Sequence, residues 1–368
     1  MGRWFTLRAR KRIRRTIIYL LFLAVCLEIG ARVILSSELM EGLVQGNYDY
    51  SRRQKWINSR RNIPRDTQAV RTFDVYDPQR GWRLKNNVRQ MQVWSGKILN
   101  SNSKGLRGTK EYSYKRVPNK VRIAVLGDSF TFGEEISDHE TYSVLLERSI
   151  PDSEVLNFGT RGYGHDQMLM YFRSEVRRYQ PDIVMLGFVF ENMQRNLLSF
   201  RDYAKPRFEI VGNQLVARNL PVPPPEYFLR SEWRRSKLFD LFAIIRETQS
   251  WKSADGTMQT IRMTEAILTV LVQEISRIDA KAVFVFLPVA HLIGDTGPRP
   301  TFLEQCMLEF CTRHEHVAGF SLQPRFDAEF NAGFKLNRVS HWNAHAHAVA
   351  AAEIKGFLEQ QGLIPGKQ

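Results

Sequence analysis

Apolar residues follow three rhythms along this chain. The first is a nearly unbroken run, Thr16 to Ser36, reading TIIYLLFLAVCLEIGARVILS. As a helix its 21 residues would reach about 31 Å, the thickness of a hydrocarbon core. The second begins at Val121, where short apolar runs predict strands at Val121 to Leu126, Val155 to Phe158, Ile183 to Phe188, Ala282 to Leu287 and Val317 to Leu322. The third lies between them: apolar residues three and four apart predict helices at Glu140 to Ser149, Gln167 to Tyr179 and Thr264 to Ile278. Strands apolar on both faces, linked by helical crossovers, imply a parallel sheet buried between helix layers. The expected fold class is therefore α/β, a three-layer α/β/α arrangement of flavodoxin-like type, preceded by a transmembrane helix.

The remaining stretches lack such periods. Residues 37 to 72 are rich in Arg, Asn, Gln and Ser and read as a solvated stalk, followed by short aromatic-bearing runs broken by Asn, Gly and Ser up to Lys120. One excursion, Arg201 to Gly256, interrupts the alternation. It carries a hairpin signal around Val211 to Gln214, the stiff Pro221-Val222-Pro223-Pro224-Pro225 segment, and a helix with Trp233, Leu238 and Phe242. A lid over the carboxyl edge of the sheet and a functionless surface insertion are equally compatible with it. The resulting domain plan is a basic tail (1–15), a signal anchor (16–36), a stalk and lead-in (37–94), and a main domain (95–365) with an insertion at 201–256.

Composition changes this picture only through charge. The chain has 368 residues, 43% hydrophobic and 25% charged, with 53 Lys and Arg against 38 Asp and Glu. That is the balance of an ordinary globular protein. The net charge of +15 raises nucleic acid as a partner until its location is read. Arg3, Arg8, Arg10, Lys11, Arg12, Arg14 and Arg15 precede the apolar run with no acid among them, and a basic flank belongs on the cytoplasmic side of a membrane. The expectation is a single-pass protein of the inner membrane whose main domain faces the periplasm or exterior, with membrane lipid and not nucleic acid as its partner. Glu28 and Arg32 interrupt the run and leave Ile17 to Leu27 free of charge, a length that also fits a cleaved signal peptide. The uncleaved anchor is the reading carried forward, because the small-residue cleavage pattern is poor and the two charges, four apart, can pair. Cys306 and Cys311 would diverge by about 140° on a helix and read as separate buried thiols. His341, His345 and His347 lack an acidic partner nearby, so no metal is expected.

Chemistry in an open parallel sheet gathers where loops leave the carboxyl ends of strands. Here those loops read Gly127-Asp128-Ser129-Phe130-Thr131-Phe132-Gly133, Asn157-Phe158-Gly159-Thr160-Arg161-Gly162, and Phe190-Glu191-Asn192, and after the last strand comes His341-Trp342-Asn343. Each has a bland explanation: Asp128 and Ser129 are good helix caps, Gly162 suits a turn, Asn192 can satisfy loop backbone, and His341 can open a surface helix. Together and in this order they resemble the SGNH, or GDSL-type, hydrolases, over about residues 95 to 360. The lead-in NSNSKGLRG and the segment KPRFEIVGNQLVARNLPVP are similar to membrane-anchored bacterial members.

The resemblance implies a serine esterase. A serine hydroxyl needs a base within hydrogen-bond reach, and histidine is suited to that role, so Ser129 and His341 are the expected catalytic pair. The oxyanion hole would be the backbone N–H of Ser129, the backbone N–H of Gly162 and the side-chain amide of Asn192. No cofactor is required. The chain departs from the family where an aspartate normally stands two or three residues before the histidine: Arg338 and Val339 occupy those positions, and Met193 replaces a common acid after Asn192. Asp327 or Glu329, a backbone carbonyl, or an unsupported dyad could serve instead. The expected function is removal of small acyl groups, acetyl above all, from a cell-envelope carbohydrate. The alternatives are an O-acyltransferase on an envelope polysaccharide and a catalytically silent glycan-binding or assembly factor. The sequence leaves the oligomeric state unknown.

Overall fold

The computed structural model describes residues 2–36, 48–61, 73–212, 214–251, 254–294 and 300–365. The chain divides into two compact units: Met1–Ile63 with Glu226–Thr257, and Pro64–Pro225 with Met258–Gln368.

In the first unit, helix α1 (Gly2–Ser36) is followed by α2 (Tyr48–Arg61). The helix starts well before the apolar run, because Arg and Lys are good helix formers. Its stretch Ala9–Ser36 is long and apolar enough to cross a bilayer. Part of the expected stalk is thus ordered: α2 buries Trp56 and Ile57, whereas 37–47 and 62–72 lie outside the described residues.

The second unit opens with two antiparallel pairs, β1 (Asp74–Asp77) with β2 (Gly81–Leu84) and β3 (Met91–Val93) with β4 (Lys97–Leu99). Placing the domain boundary at 95 therefore cuts through folded structure. Phe73, Leu84, Val88 and Leu99 form one apolar cluster with Phe132 of the main domain, and Trp82 is fully buried. Isolated aromatic residues in a polar stretch carried too little periodicity to announce this.

The central sheet comprises β5 (Val121–Gly127), β6 (Ser153–Gly159), β7 (Ile183–Phe188), β10 (Lys281–Phe286) and β11 (Val317–Ser321), all parallel, in the order β11-β10-β7-β5-β6. The hairpin β8 (Arg207–Val211) with β9 (Gln214–Arg218) stands apart from it. Every residue of β6 and β7 is buried, as two helix-covered faces require. Helices α3 (Ser129–Phe132), α4 (Tyr142–Ser149), α5 (His165–Ser174) and α6 (Glu191–Arg195) follow in turn. After the insertion come α9 (Ala254–Ser276), α10 (Phe302–Thr312), α11 (Gln323–Asn331) and α12 (Ala344–Gln360). This is the three-layer α/β/α arrangement of flavodoxin-like strand order, whose topological switch lies between β5 and β7, where such sheets bind ligands.

The insertion is split between the units. The β8–β9 hairpin belongs to the second, while α7 (Pro225–Ser231), from Glu226 onward, and α8 (Lys237–Trp251) belong to the first. Cys306 and Cys311 are both free, the first half-buried and the second buried.

Candidate active site

Three loops at the carboxyl ends of β5, β6 and β7 are fastened to one another by buried polar contacts. Asp128, fully buried, caps the short α3 by accepting from Phe130 N at 3.0 Å, and its other oxygen pairs with Arg195 of α6 at 3.1 Å. Arg195 also donates to the carbonyl of Tyr163 at 3.0 Å, so a single guanidinium joins all three loops. Burial, with Arg201 close by, pulls the Arg195 pKa down to about 10. Asn157 of β6 donates to Thr131 O at 2.8 Å and Ser143 Oγ at 2.9 Å and accepts from Gly159 N at 2.9 Å. The turn carrying Ser129 thereby lies flat on β6: a Cβ on Gly159 would stand 2.3 Å from Phe132 N.

The histidine arrives from the other end of the chain. Trp342 is fully buried, donates from its indole to Pro288 O at 2.8 Å, and packs on Phe130 and Phe326. Asn343 caps α12 by accepting from Ala346 N at 3.0 Å. Just before these anchors His341 is fixed with Nε2 2.8 Å from Ser129 Oγ. An Nε2 that accepts the serine proton leaves the neutral ring's hydrogen on Nδ1. Nδ1 lies 3.0 Å from Ser340 Oγ and 3.5 Å from Glu135 Oε1.

Glu135 is the carboxylate that the residues before His341 do not supply. It accepts from Ser340 Oγ at 2.8 Å, from Val339 N at 2.9 Å, and from the backbone N–H groups of Ser340 and His341 at 3.2 and 3.4 Å. Burial acts to raise its pKa, but the Ser340 hydroxyl and these backbone donors outweigh it and hold the carboxyl below the usual range. Ser340 can accept from Nδ1–H while donating to Glu135, giving the chain Ser129, His341, Ser340, Glu135. Arg338, at the family's aspartate position, supports the same loop by donating to Glu135 O at 2.9 Å. A second carboxylate, Glu134, lies 3.8 Å from His341 Nε2 and pairs with Arg161 at 2.9 Å.

Asp327 does not support the histidine. It accepts from Gly294 N and from Gln323 Nε2, each at 2.8 Å, and Glu329 bonds His345 Nε2 at 2.8 Å and Arg325. The acid comes instead from the loop after α3, six residues beyond the serine, where Glu135 adopts positive φ (+73°). That loop is shaped by Arg107 of the lead-in motif. Its buried guanidinium bonds Asp138 at 2.9 Å and the carbonyls of Phe132, Gly133 and Ile136. A sequence signal existed in the pair Glu134-Glu135, but only the Arg107 clamp aims it at the histidine.

The remaining expected residues lie at the same sheet edge. Gly162 takes φ +80°, and a Cβ there would strike Asp202 Oδ2 and Arg201 Nη1 at 2.0 and 2.6 Å. The first residues of the insertion thus border this loop. Asn192 is fully buried, and both its side-chain oxygen and nitrogen lack a hydrogen-bond partner. An orphaned buried amide costs about 1–3 kcal/mol. A cavity of about 320 Å³ opens between the ends of β7 and β10, lined by Phe190, Phe286, Pro288, Leu292 and Phe302. Among the described residues no cluster of His, Cys, Asp and Glu could hold a metal ion.

No family model and no curated protein matches the sequence. Among solved structures, the chain is similar to an acetyl xylan esterase, AlAXEase, at 10% identity and TM-score 0.41, covering 65% of this chain and all of that one. It is also similar to Axe2, an acetylxylan esterase from Geobacillus stearothermophilus, at 13% identity and TM-score 0.39, covering 66% and 96% of the two chains. A member of the lipolytic protein G-D-S-L family from Veillonella parvula gives 10% identity and TM-score 0.37, covering 64% and 97%.

Proposed function

We propose that this chain is a membrane-anchored serine ester hydrolase of the SGNH type that removes small acyl groups, acetyl above all, from carbohydrate of the cell envelope. The observation that carries the chemistry is the 2.8 Å contact between Ser129 Oγ and His341 Nε2, backed by Ser340 and Glu135. The location rests on the apolar α1 and its basic flank. The carbohydrate rests on that location and on the family resemblance.

In the reaction, Ser129 Oγ attacks the ester carbonyl carbon while its proton passes to His341 Nε2, and the carbonyl π pair moves to oxygen. The imidazolium so formed is stabilised by Glu135, directly and through Ser340. The oxyanion is held by the N–H groups of Ser129 and Gly162 and by Asn192 Nδ2, each such donor being worth roughly 10²–10³ in rate. Collapse breaks the bond to the leaving alcohol, whose oxygen takes the proton from His341. Water then repeats the sequence on the acyl-enzyme, giving the acid and free Ser129. A sugar hydroxyl in place of that water would make the same residues an acyltransferase. The silent binding-factor alternative drew its support from the missing aspartate, and Glu135 removes that support.

Ser129→Ala should abolish hydrolysis of an activated acetyl ester such as p-nitrophenyl acetate, and unchanged turnover in the folded variant refutes the mechanism. Release of free acetate from acetylated envelope glycan supports hydrolysis. Acetate found only on an added acceptor glycan assigns transfer instead.

A further inference from the structure

The two charges inside the apolar N-terminal helix have found partners in the insertion. Glu28 accepts from Lys237 N at 2.9 Å, Leu238 N at 3.1 Å and Ser236 Oγ at 2.7 Å, so its carboxylate caps the first turn of α8. Arg32 pairs with Glu28 at 2.8 Å and donates to Arg235 O at 3.2 Å. Buried Ala31 lies in the same stretch of α1. A carboxylate at a helix N-terminus satisfies orphan N–H groups and the helix dipole together. Glu28 and Arg32 therefore fasten a second helix to the first, about 12 Å along α1 from Ser36.

That second helix has a polar interior and an apolar exterior. Toward α2 it presents Asp240, buried, which pairs with Arg53 at 3.0 Å. Glu232 bonds Gln54 at 2.8 Å and Lys237 at 2.6 Å. On its outer side Phe239 is 76% exposed, Phe242 60% and Ile245 48%, and Trp233 just before it is 69% exposed. Three such aromatic side chains place on the order of 400 Å² of apolar surface in solvent, which for an isolated soluble unit marks a binding face.

The occupant follows from what this face adjoins. The helix packs beside α1, whose Leu27, Ile29 and Val33 are likewise about half exposed or more. Arg230 and Arg234 flank Trp233 in the sequence, the Arg234 guanidinium lying over the Trp233 ring at 4.8 Å. Trp and Phe next to basic residues on an amphipathic helix is the composition of the lipid interface, and basic side chains there are drawn to anionic headgroups. We propose that α8 and the turn before it form an interfacial collar on α1, with Trp233, Phe239 and Phe242 seated at the boundary between headgroups and acyl chains of an anionic bilayer. The helical part of the insertion is thus a membrane contact. This inference rests on reading α1 as a membrane span.

The test uses the full-length chain with Cys26, Cys306 and Cys311 replaced by serine, reconstituted in phosphatidylethanolamine/phosphatidylglycerol vesicles. Leu20→Cys and Phe239→Cys are each labelled with an environment-sensitive fluorophore. Lipids brominated either near the glycerol end or near the terminus of the acyl chain serve as quenchers. The collar predicts that the label at 20 is quenched best by deep bromines. It also predicts that the label at 239 loses roughly half its emission to shallow ones, as an interfacial side chain must. Quenching at 20 with none at 239 overturns the collar while leaving the anchor intact. No quenching at 20 removes the anchor reading, and the collar with it. Quenching at 239 that depends on protein density and ignores bromine assigns the face to a second copy of the chain and overturns the proposal.

Discussion

Replacing Glu135 by glutamine removes one negative charge from behind His341 while keeping the side chain's shape and its acceptor oxygen. The carboxylate oxygen lies 3.5 Å from Nδ1, and the side chains of His341 and Glu135 are only 18% and 10% exposed. At an effective dielectric near 20, a carboxylate and an imidazolium at that separation attract by about 5 kcal/mol. Glu134, 3.8 Å from Nε2, remains in the variant, and Ser340 retains an acceptor in the glutamine oxygen. A loss of about 3 kcal/mol of transition-state stabilisation is therefore expected, or about 10²-fold in kcat/KM. This falls short of the roughly 10⁴-fold cost of amidating an acid bonded directly to the imidazole. The assay is hydrolysis of p-nitrophenyl acetate by full-length Glu135→Gln, with circular dichroism confirming the fold. Asp327→Asn, whose parent carboxylate bonds Gly294 and Gln323, is the control and should stay within about threefold of the parent, as expected of a group away from the histidine. Activity of Glu135→Gln within twofold of the parent, or a larger loss in Asp327→Asn, refutes the assignment of the acid.

Two further outcomes follow from buried groups. Asn192→Ala should lower kcat by about 10²–10³ with little change in KM, because an oxyanion donor acts in the transition state; steady-state kinetics on the same ester reads this, and a change confined to KM contradicts it. Burial, with Arg195 nearby, lowers the His165 pKa to about 3, and burial, with Arg107 and His341 nearby, does the same to His347. Both are neutral in the folded state, and the unfolded chain takes up their protons as pH falls below about 6.5. Stability should therefore be intact above that value and decline between pH 6.5 and 3 by up to about 1.4 kcal/mol per pH unit for each histidine. Urea unfolding at several pH values should show a shallower decline in His347→Gln, and an unchanged slope contradicts the linkage.

The architecture was legible because strand and helix periods differ. Runs such as Val121 to Leu126 and Ile183 to Phe188 became β5 and β7 within a residue or two of their expected limits. The meeting of Ser129 with His341 was legible only in part: Ser129 stands at the end of β5, and a parallel sheet gathers its strand ends on one edge, whereas His341 follows α11 and precedes α12. The acid was not legible, because Glu135 reaches the histidine through a loop held in place by Arg107 and Asp138, contacts between side chains about thirty residues apart. The packing of the insertion was not legible for a related reason. Its helix fits a lid and a plain surface insertion alike, and the bonds that Glu28 accepts from Ser236, Lys237 and Leu238, which tie it to the N-terminal helix, leave no local signal. Nor did the aromatic residues before Asn100 announce a core, since Phe73 and Leu84 meet Phe132 through tertiary packing with no local period.

Active-site labelling weighs most directly on whether Ser129 is an activated nucleophile. The full-length protein is treated with a fluorophosphonate, digested and analysed by mass spectrometry, beside His341→Ala. Stoichiometric modification at Ser129, slowed at least a hundredfold by loss of the base, as expected for an alcohol deprived of its general base, is the predicted result. A folded protein whose Ser129 stays unmodified, or is modified equally fast without His341, would contradict it.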